Sequence, residues 1–328
     1  MWYECLVVSR CLSLPSKPLR FVLPSLPSSP TKSSRSLLLI PLTSNSSIIL
    51  PYLESFRSVY PAYLQQLFPE PSSISNMPSQ KSSYFRTIQK FKADYSPASF
   101  SQYVSDRTGM HVVVVDQKGP KVQGYFTLAT EIFDDSGSPH TLEHLVFMGS
   151  KSYQYKGLLD KLSSRAYSNT NAWTATDHTA YTLDTAGWEG FAQILPVYLE
   201  HVILPTLTDE GCYTEVHHID GEGNDAGVVY SEMQGVQNNG GEIMDLRARR
   251  LLYPENVGFR YETGGLMENL RVLTADRIRS FHKEMYQPKN LCLLLVGEVD
   301  EDHLLQILND FEDGILDDIP KPEAPFKR

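Results

Sequence analysis

Two histidines and a glutamate stand together in the run Ser138-Pro139-His140-Thr141-Leu142-Glu143-His144-Leu145-Val146-Phe147-Met148-Gly149. On a helix, His140 and His144 lie four apart and Glu143 three after the first, so all three side chains share one face. Two imidazoles one turn apart can hold a single zinc ion, and a carboxylate beside them can take a proton from water activated there. The order His-x-x-Glu-His is the inverted zincin signature. The chain has nine histidines, so the bland alternative is a pair of helical histidines with a solvated glutamate between them.

A catalytic zinc usually has three protein ligands, so two histidines leave one place to fill. Downstream candidates are Glu215, Glu222, Asp225 and Glu232, each with a plain alternative as a solvated surface charge. Glu232 differs in having Val228, Val229, Tyr230 and Met233 around it. An acid among apolar residues needs a partner, and a metal ion is one.

The elements that must position these groups are legible in outline. Met110–Asp116 is a β-branched run that predicts a buried strand. Val122–Ile132 predicts a second, and Lys118-Gly119-Pro120 between them suggests a hairpin. Pro139 near the first turn and Gly149 at the end bound the motif helix. A short helix is expected over Gly157–Arg165, and Thr170–Thr185, rich in Thr, Trp and Tyr, reads as paired strands. Trp188–Leu204 repeats apolar residues at helical spacing, with Pro196 a kink point. Thr208 caps a helix expected to run through His218. Gly227–Gly235 has an apolar start that could be strand, and its continuation to Leu252 is mostly helical. Thr274 caps a helix to Met285, Asn290–Val296 is a buried strand, and Asp302–Phe311 is a last amphipathic helix. The interleaving predicts an α+β fold, two layers with helices over a mainly antiparallel sheet.

The full chain has 328 residues, 41% of them hydrophobic and 11% aromatic, enough to bury a sizeable core. Its net charge of −10 disfavours a nucleic-acid partner. Residues 1–76 carry six Lys/Arg against three acids, with none between Glu4 and Glu54, and are rich in Ser, Pro and Leu. They read as a disordered or processed leader, either a transit peptide or sequence upstream of a true start at Met77. A lead-in follows over 77–94, then one domain over 95–315, and a Pro-rich linker over 316–328. Cys5, Cys11, Cys212 and Cys292 have no paired spacing, which points to a reducing compartment, the cytoplasm or alternatively the mitochondrial matrix. The apolar runs are too short to span a bilayer, so no membrane association is expected.

The run His140–Ser150 resembles the zinc-binding helix of the M16 metallopeptidases, the family of insulysin, pitrilysin and presequence protease. Gly227–Gly235 is similar to the segment that supplies their third ligand, Asn171-Ala172-Trp173-Thr174 to their substrate-binding edge strand, and Arg260–Gly265 with Pro288–Gly297 to the end of their first unit. The resemblance implies an M16 metallopeptidase/LuxS-like fold and one Zn2+ per chain, held by His140, His144 and Glu232. It makes Glu143 the general base, Asp225 an acid supporting the ligands from behind, and Asn171, Ala172 and Trp173 the substrate-binding residues. His178, His217 and His218 match no ligand position and are expected to be structural or at the surface. The implied substrate is a peptide or unfolded segment. The implied partner is a C-terminal half or an M16 subunit, because these enzymes enclose substrate between two related halves. A non-catalytic assembly subunit, or an inactive fragment that binds metal, is the alternative.

Overall fold

The computed structural model describes residues 83–320, to which all that follows refers. The expected leader, 1–76, and most of the expected linker, 316–328, lie outside these residues.

Seven strands form one sheet: β1 (Phe85–Lys92), β2 (Ser99–Ser105), β3 (His111–Asp116), β4 (Val122–Ala129), β5 (Asn169–Thr174), β6 (His178–Thr185) and β9 (Leu291–Gly297), in the order β1-β2-β3-β9-β4-β6-β5. Every pairing is antiparallel except β3 with β9. The helices are α1 (Ser138–Leu145), α2 (Leu158–Arg165), α3 (Trp188–Ile203), α4 (Asp209–Glu215), α5 (Val228–Val236), α6 (Gly240–Leu252), α7 (Met267–Leu270), α8 (Ala275–Met285) and α9 (Glu301–Ile315). A two-residue ladder, β7 (His218–Ile219) with β8 (Asp225–Ala226), precedes α5. The mainly antiparallel α+β fold is the one expected. No helix among the described residues is long and apolar enough to cross a membrane.

The core follows from strand alternation. Val112 and Val114 of β3, Phe126 and Leu128 of β4, Tyr181 and Leu183 of β6, and Leu293 and Leu295 of β9 are all buried. Phe191, Leu195, Tyr198 and Val202 of α3, Ile278 and Phe281 of α8, and Leu304 and Leu308 of α9 join them in one cluster. Burial at these spacings is what makes α3, α8 and α9 helices, since each presents one apolar stripe to the sheet.

The hairpin expected between β3 and β4 is absent. The strand β9 lies between them, parallel to β3 and antiparallel to β4. A strand apolar along its whole length is most stable with neighbours on both sides, and Leu291–Val296 meets that condition better than any other run. The helix expected through His218 stops at Glu215, because Asp220 Oδ1 accepts from the amides of Glu222 and Asn224 and closes a tight turn between β7 and β8. The apolar start after Gly227 is helical from Val228. The strands β1 and β2 went unassigned in the sequence: seven of the eight residues of β1 are exposed, so it shows no alternation to read.

A buried ion pair fastens α9 to the sheet. Glu312 is fully buried and accepts from Ser105 Oγ at 2.9 Å, Arg107 Nε at 3.1 Å and Thr108 Oγ1. Arg107→Ala leaves that carboxylate without its counter-charge and is expected to cost about 3–5 kcal/mol, read from denaturant midpoints. His282, whose Nε2 donates to the Val202 carbonyl at 3.1 Å, is brought by burial from an ordinary pKa of 6.5 down to about 4. Folding therefore holds it neutral while the unfolded chain takes up a proton, so stability falls as pH drops from about 6.5 to about 4. In His282→Gln the fall over that window is expected to lose the slope of about one proton, measured by chemical unfolding across pH.

Candidate active site

The site begins with the way α1 is anchored. Gly137, at φ 75°, is the residue before its first turn, and Pro139 occupies that turn. A Cβ at Gly137 would stand 2.7 Å from the Gly264 carbonyl oxygen and 2.8 Å from Gly265 Cα, so only glycine permits this contact with the 262–265 loop. The apolar face of α1, Leu142 and Leu145, is buried, which turns His140, Glu143 and His144 outward together. The second anchor is Gly227, at φ 129°, where a Cβ would lie 2.4 Å from the Val216 carbonyl oxygen. From there Val229 and Tyr230 enter the core and Glu232 is carried back toward α1.

Glu232 Oε2 stands 3.4 Å from His140 Nε2 and 3.4 Å from His144 Nε2, and the two nitrogens are 3.3 Å apart. Among the described residues these three form a group able to hold a metal ion. Three corners of a tetrahedron with bonds of about 2.0–2.1 Å stand about 3.3–3.4 Å apart, so the triangle fits a zinc-sized ion. Burial, and then the neighbouring charge of His144, lower the pKa of His140 against the opposing carboxylates of Glu143 and Glu232, which favours a neutral imidazole with a lone pair to donate. Its buried Nδ1 has no partner in hydrogen-bond geometry, although the Gly264 carbonyl pulls weakly the other way.

Burial pushes the Glu143 carboxyl above its ordinary range, against the opposing hydrogen bond from Thr174 Oγ1 at 2.5 Å. A carboxylate so raised is a better proton acceptor than a solvated one. Thr174 belongs to β5, an edge of the sheet. A cavity of about 440 Å³ runs beside that edge, lined by His140, Glu143, His144, Phe147, Thr170, Asn171, Ala172 and Glu232. The arrangement thus sets a triangle of donor atoms able to hold a metal ion, a carboxyl raised by burial and an unpaired strand edge around one space.

The other expected site residues are placed as follows. Asn171 and Ala172 line the cavity, and Trp173 does not: it is 40% exposed, donates from Nε1 to His178 Nε2 at 3.1 Å and meets Tyr125 edge-on. Asp225 is not brought to the histidine pair. It accepts from Arg271 Nη2 at 2.9 Å and Tyr230 Oη at 3.1 Å and pairs with His217 Nε2 at 2.6 Å. These partners, Arg271 first, hold its carboxyl far below the usual range. The acid behind the histidines is Glu215, whose Oε2 is 3.8 Å from His144 Nδ1 while Oε1 accepts from Lys156 Nζ at 2.8 Å. His178 pairs with Asp177, and His218 Nδ1 faces the Tyr213 carbonyl, both apart from the triangle. Thr174 and Lys156 carry no signal of their own in the sequence, and Glu215 stood there only as one of four candidate third ligands.

The insulinase family profile (peptidase family M16) matches residues 130–234, from before α1 through Glu232, and the peptidase M16 inactive domain profile matches residues 273–328. An uncharacterized Saccharomyces cerevisiae protein is 51% identical over 247 residues, 74% of this chain and 24% of its own. An uncharacterized Caenorhabditis elegans protein is 46% identical over 67% of this chain and 23% of its own. Presequence protease 1, chloroplastic/mitochondrial, of Arabidopsis thaliana is 28% identical over 66% of this chain and 21% of its own. The chain thus spans about a quarter of the length of these curated relatives. Among solved structures, pitrilysin superposes with a TM-score of 0.59 at 19% identity, over 74% of this chain and 26% of that one. A Helicobacter pylori protease does so with 0.55 at 21% identity, over 73% of this chain and 53% of that one. A sheet of this form, with the His140, Glu143, His144 and Glu232 cluster inside the matched segment, agrees with the profiles and relatives: the chain belongs to the insulinase family of peptidases, M16.

Proposed function

We propose that this chain is the catalytic unit of a zinc metalloendopeptidase that hydrolyses peptides or unfolded segments, completed by a second M16-like unit. The observation that carries the reading is the triangle of His140, His144 and Glu232 donor atoms, 3.3–3.4 Å on a side, with Glu143 on the same helix. His140, His144 and Glu232 would hold one Zn2+. The chemistry the ion supplies in such a ligand set is Lewis-acid polarisation of a carbonyl and a water pKa lowered to about 7.

The remaining work falls to the chain's own side chains. Glu143 takes the water proton and hands it to the leaving amine, a role that its raised pKa favours. An extended substrate adds to β5 as an extra strand, with backbone hydrogen bonds along Asn171 and Ala172. Thr174 ties that same strand to Glu143, so substrate backbone and proton acceptor are held in one register. Glu215, fixed by Lys156, steadies the His144 ring from its Nδ1 side. The cytoplasm is the proposed location. The mitochondrial alternative finds support in the presequence proteases of Arabidopsis thaliana and Gibberella zeae, named as chloroplastic/mitochondrial and mitochondrial proteins.

Single alanine variants of His140, His144 and Glu232 are each expected to lose the one zinc per chain that the parent retains through desalting, measured by elemental mass spectrometry. Glu143→Gln keeps its zinc and cleaves an unstructured fluorogenic peptide at least about 100-fold more slowly, with the second unit supplied. A parent chain without stoichiometric zinc defeats the proposal. A zinc-loaded parent that remains inert with the second unit present makes the chain a non-catalytic assembly subunit. Glu215→Gln is expected to weaken zinc binding about 10–100-fold in chelator competition, a larger change than Asp225→Asn produces.

A further inference from the structure

A second cavity, about 440 Å³ in volume, opens between α3, α9 and the 151–153 loop, and none of its lining residues borders the cavity beside β5. Leu204 after α3, with Ile307 and Ile315 of α9, lines it with hydrocarbon. Each helix also contributes one carboxylate, Glu200 from α3 and Asp310 from α9. Glu200 is fixed in place, since Oε1 accepts from Ser150 Oγ at 2.9 Å and from the Ser152 amide at 2.6 Å. Its Oε2 bonds to nothing among the described residues, and Asp310 has no ion-pair partner among them. Lys151, also in the lining, is matched by Asp318, Nζ to Oδ2 at 2.6 Å. Two negative charges are therefore left over around one space.

Acids at a surface are ordinarily solvated and mark nothing by themselves. What sets this place apart is a helix-weakening residue on each wall. Pro196 lies inside α3, where it removes a backbone hydrogen bond. Gly314 lies inside the last turn of α9, and its φ is not in the left-handed region that a terminal glycine serves. A Cβ on Gly314 would have no atom within 4 Å, so no packing inside the described chain requires a glycine there. Proline and glycine are the two poorest helix formers, and here both face one cavity. A residue that weakens its own helix and serves no neighbour makes room for something that approaches the backbone from outside.

The Tyr153 ring, stacked on the buried His201 ring with centroids 6.1 Å apart, supplies a fixed aromatic wall. Burial and then the Glu200 charge raise its phenol, so the field of that acid reaches across the lining. We propose that this cavity binds an organic cation, an ammonium or guanidinium group on a hydrocarbon stem. The charge lies between Glu200 and Asp310, the stem runs along Leu204, Ile307 and Ile315, and Gly314 admits it close to α9. An anion is repelled here, and a neutral apolar molecule leaves both carboxylates uncompensated. A free amine or guanidine and a Lys or Arg side chain of a peptide share this chemistry. The site stands independently of the metal triangle and of the peptidase reading.

The full chain is titrated by calorimetry with propylguanidine, the free cation, and with acetyl-glycyl-arginyl-glycine amide, the same group on a peptide. Saturable binding is expected, weaker at high salt than at low salt. Glu200→Gln, which keeps the acceptor for Ser150 and Ser152, and Asp310→Asn each weaken it at least about tenfold. Gly314→Leu abolishes it, and Gly314→Ala raises the melting temperature while lowering the affinity, a pairing that damage to the fold cannot produce. Glu189→Gln, on the exposed first turn of α3, leaves it unchanged. Binding of propylguanidine supports a site for the free cation, and binding of the peptide alone supports a site for a basic side chain. No saturable binding of either probe, binding indifferent to both acids, or affinity untouched by Gly314→Leu overturns the proposal.

Discussion

Three electron-pair donors 3.3–3.4 Å apart, two imidazole nitrogens and a carboxylate oxygen, are the constraint to which the rest of this structure answers. Held that close, such groups gain little from one another unless a cation lies among them. Two come from one turn of α1 and need only a helix. The third comes from α5, and bringing it back demands a specific path for the chain between. Much of the molecule's local detail is that path.

Its fixed points are backbone contacts rather than side-chain reach. Gly137 lets α1 start against the 262–265 loop, and Gly227 lets α5 start against the Val216 carbonyl. Asp135 extends the first contact by accepting from the Glu262 amide, and Arg250 pairs with its other oxygen. Asp225 fixes the approach to α5, bridging Arg271, His217 and Tyr230, with Tyr230 two residues before Glu232. Asp225, expected behind the histidine pair, thus steadies the helix that carries Glu232.

The order of the sheet matters to the site for one reason. With β9 and β4 at its centre, β5 is left on the margin, beside α1, with one backbone edge unpaired. An unpaired strand edge is commonly a liability, and here it borders the cavity that holds the candidate ligands and base. The bond between Thr174 and Glu143 ties that edge to α1 across the border. On the far margin β1 has the usual protections of an edge, a register shift between Thr87 and Gln89 and lysines at 90 and 92.

What could be read from the residues alone was whatever depends on neighbours in the chain. The His140–Glu143–His144 face follows from helical period, the caps at Thr208 and Thr274 from hydroxyl chemistry, and the buried strands from β-branched and leucine runs. Glu232 was distinguishable by its apolar neighbours, although spacing alone left it among four acids. The arrival of Glu215 rather than Asp225 beside His144, the insertion of β9 between β3 and β4 and the partners of Trp173 were decided only in three dimensions. Each depends on which distant segment arrives alongside, and burial and charge pairing between segments far apart in the chain leave no period for the sequence to show.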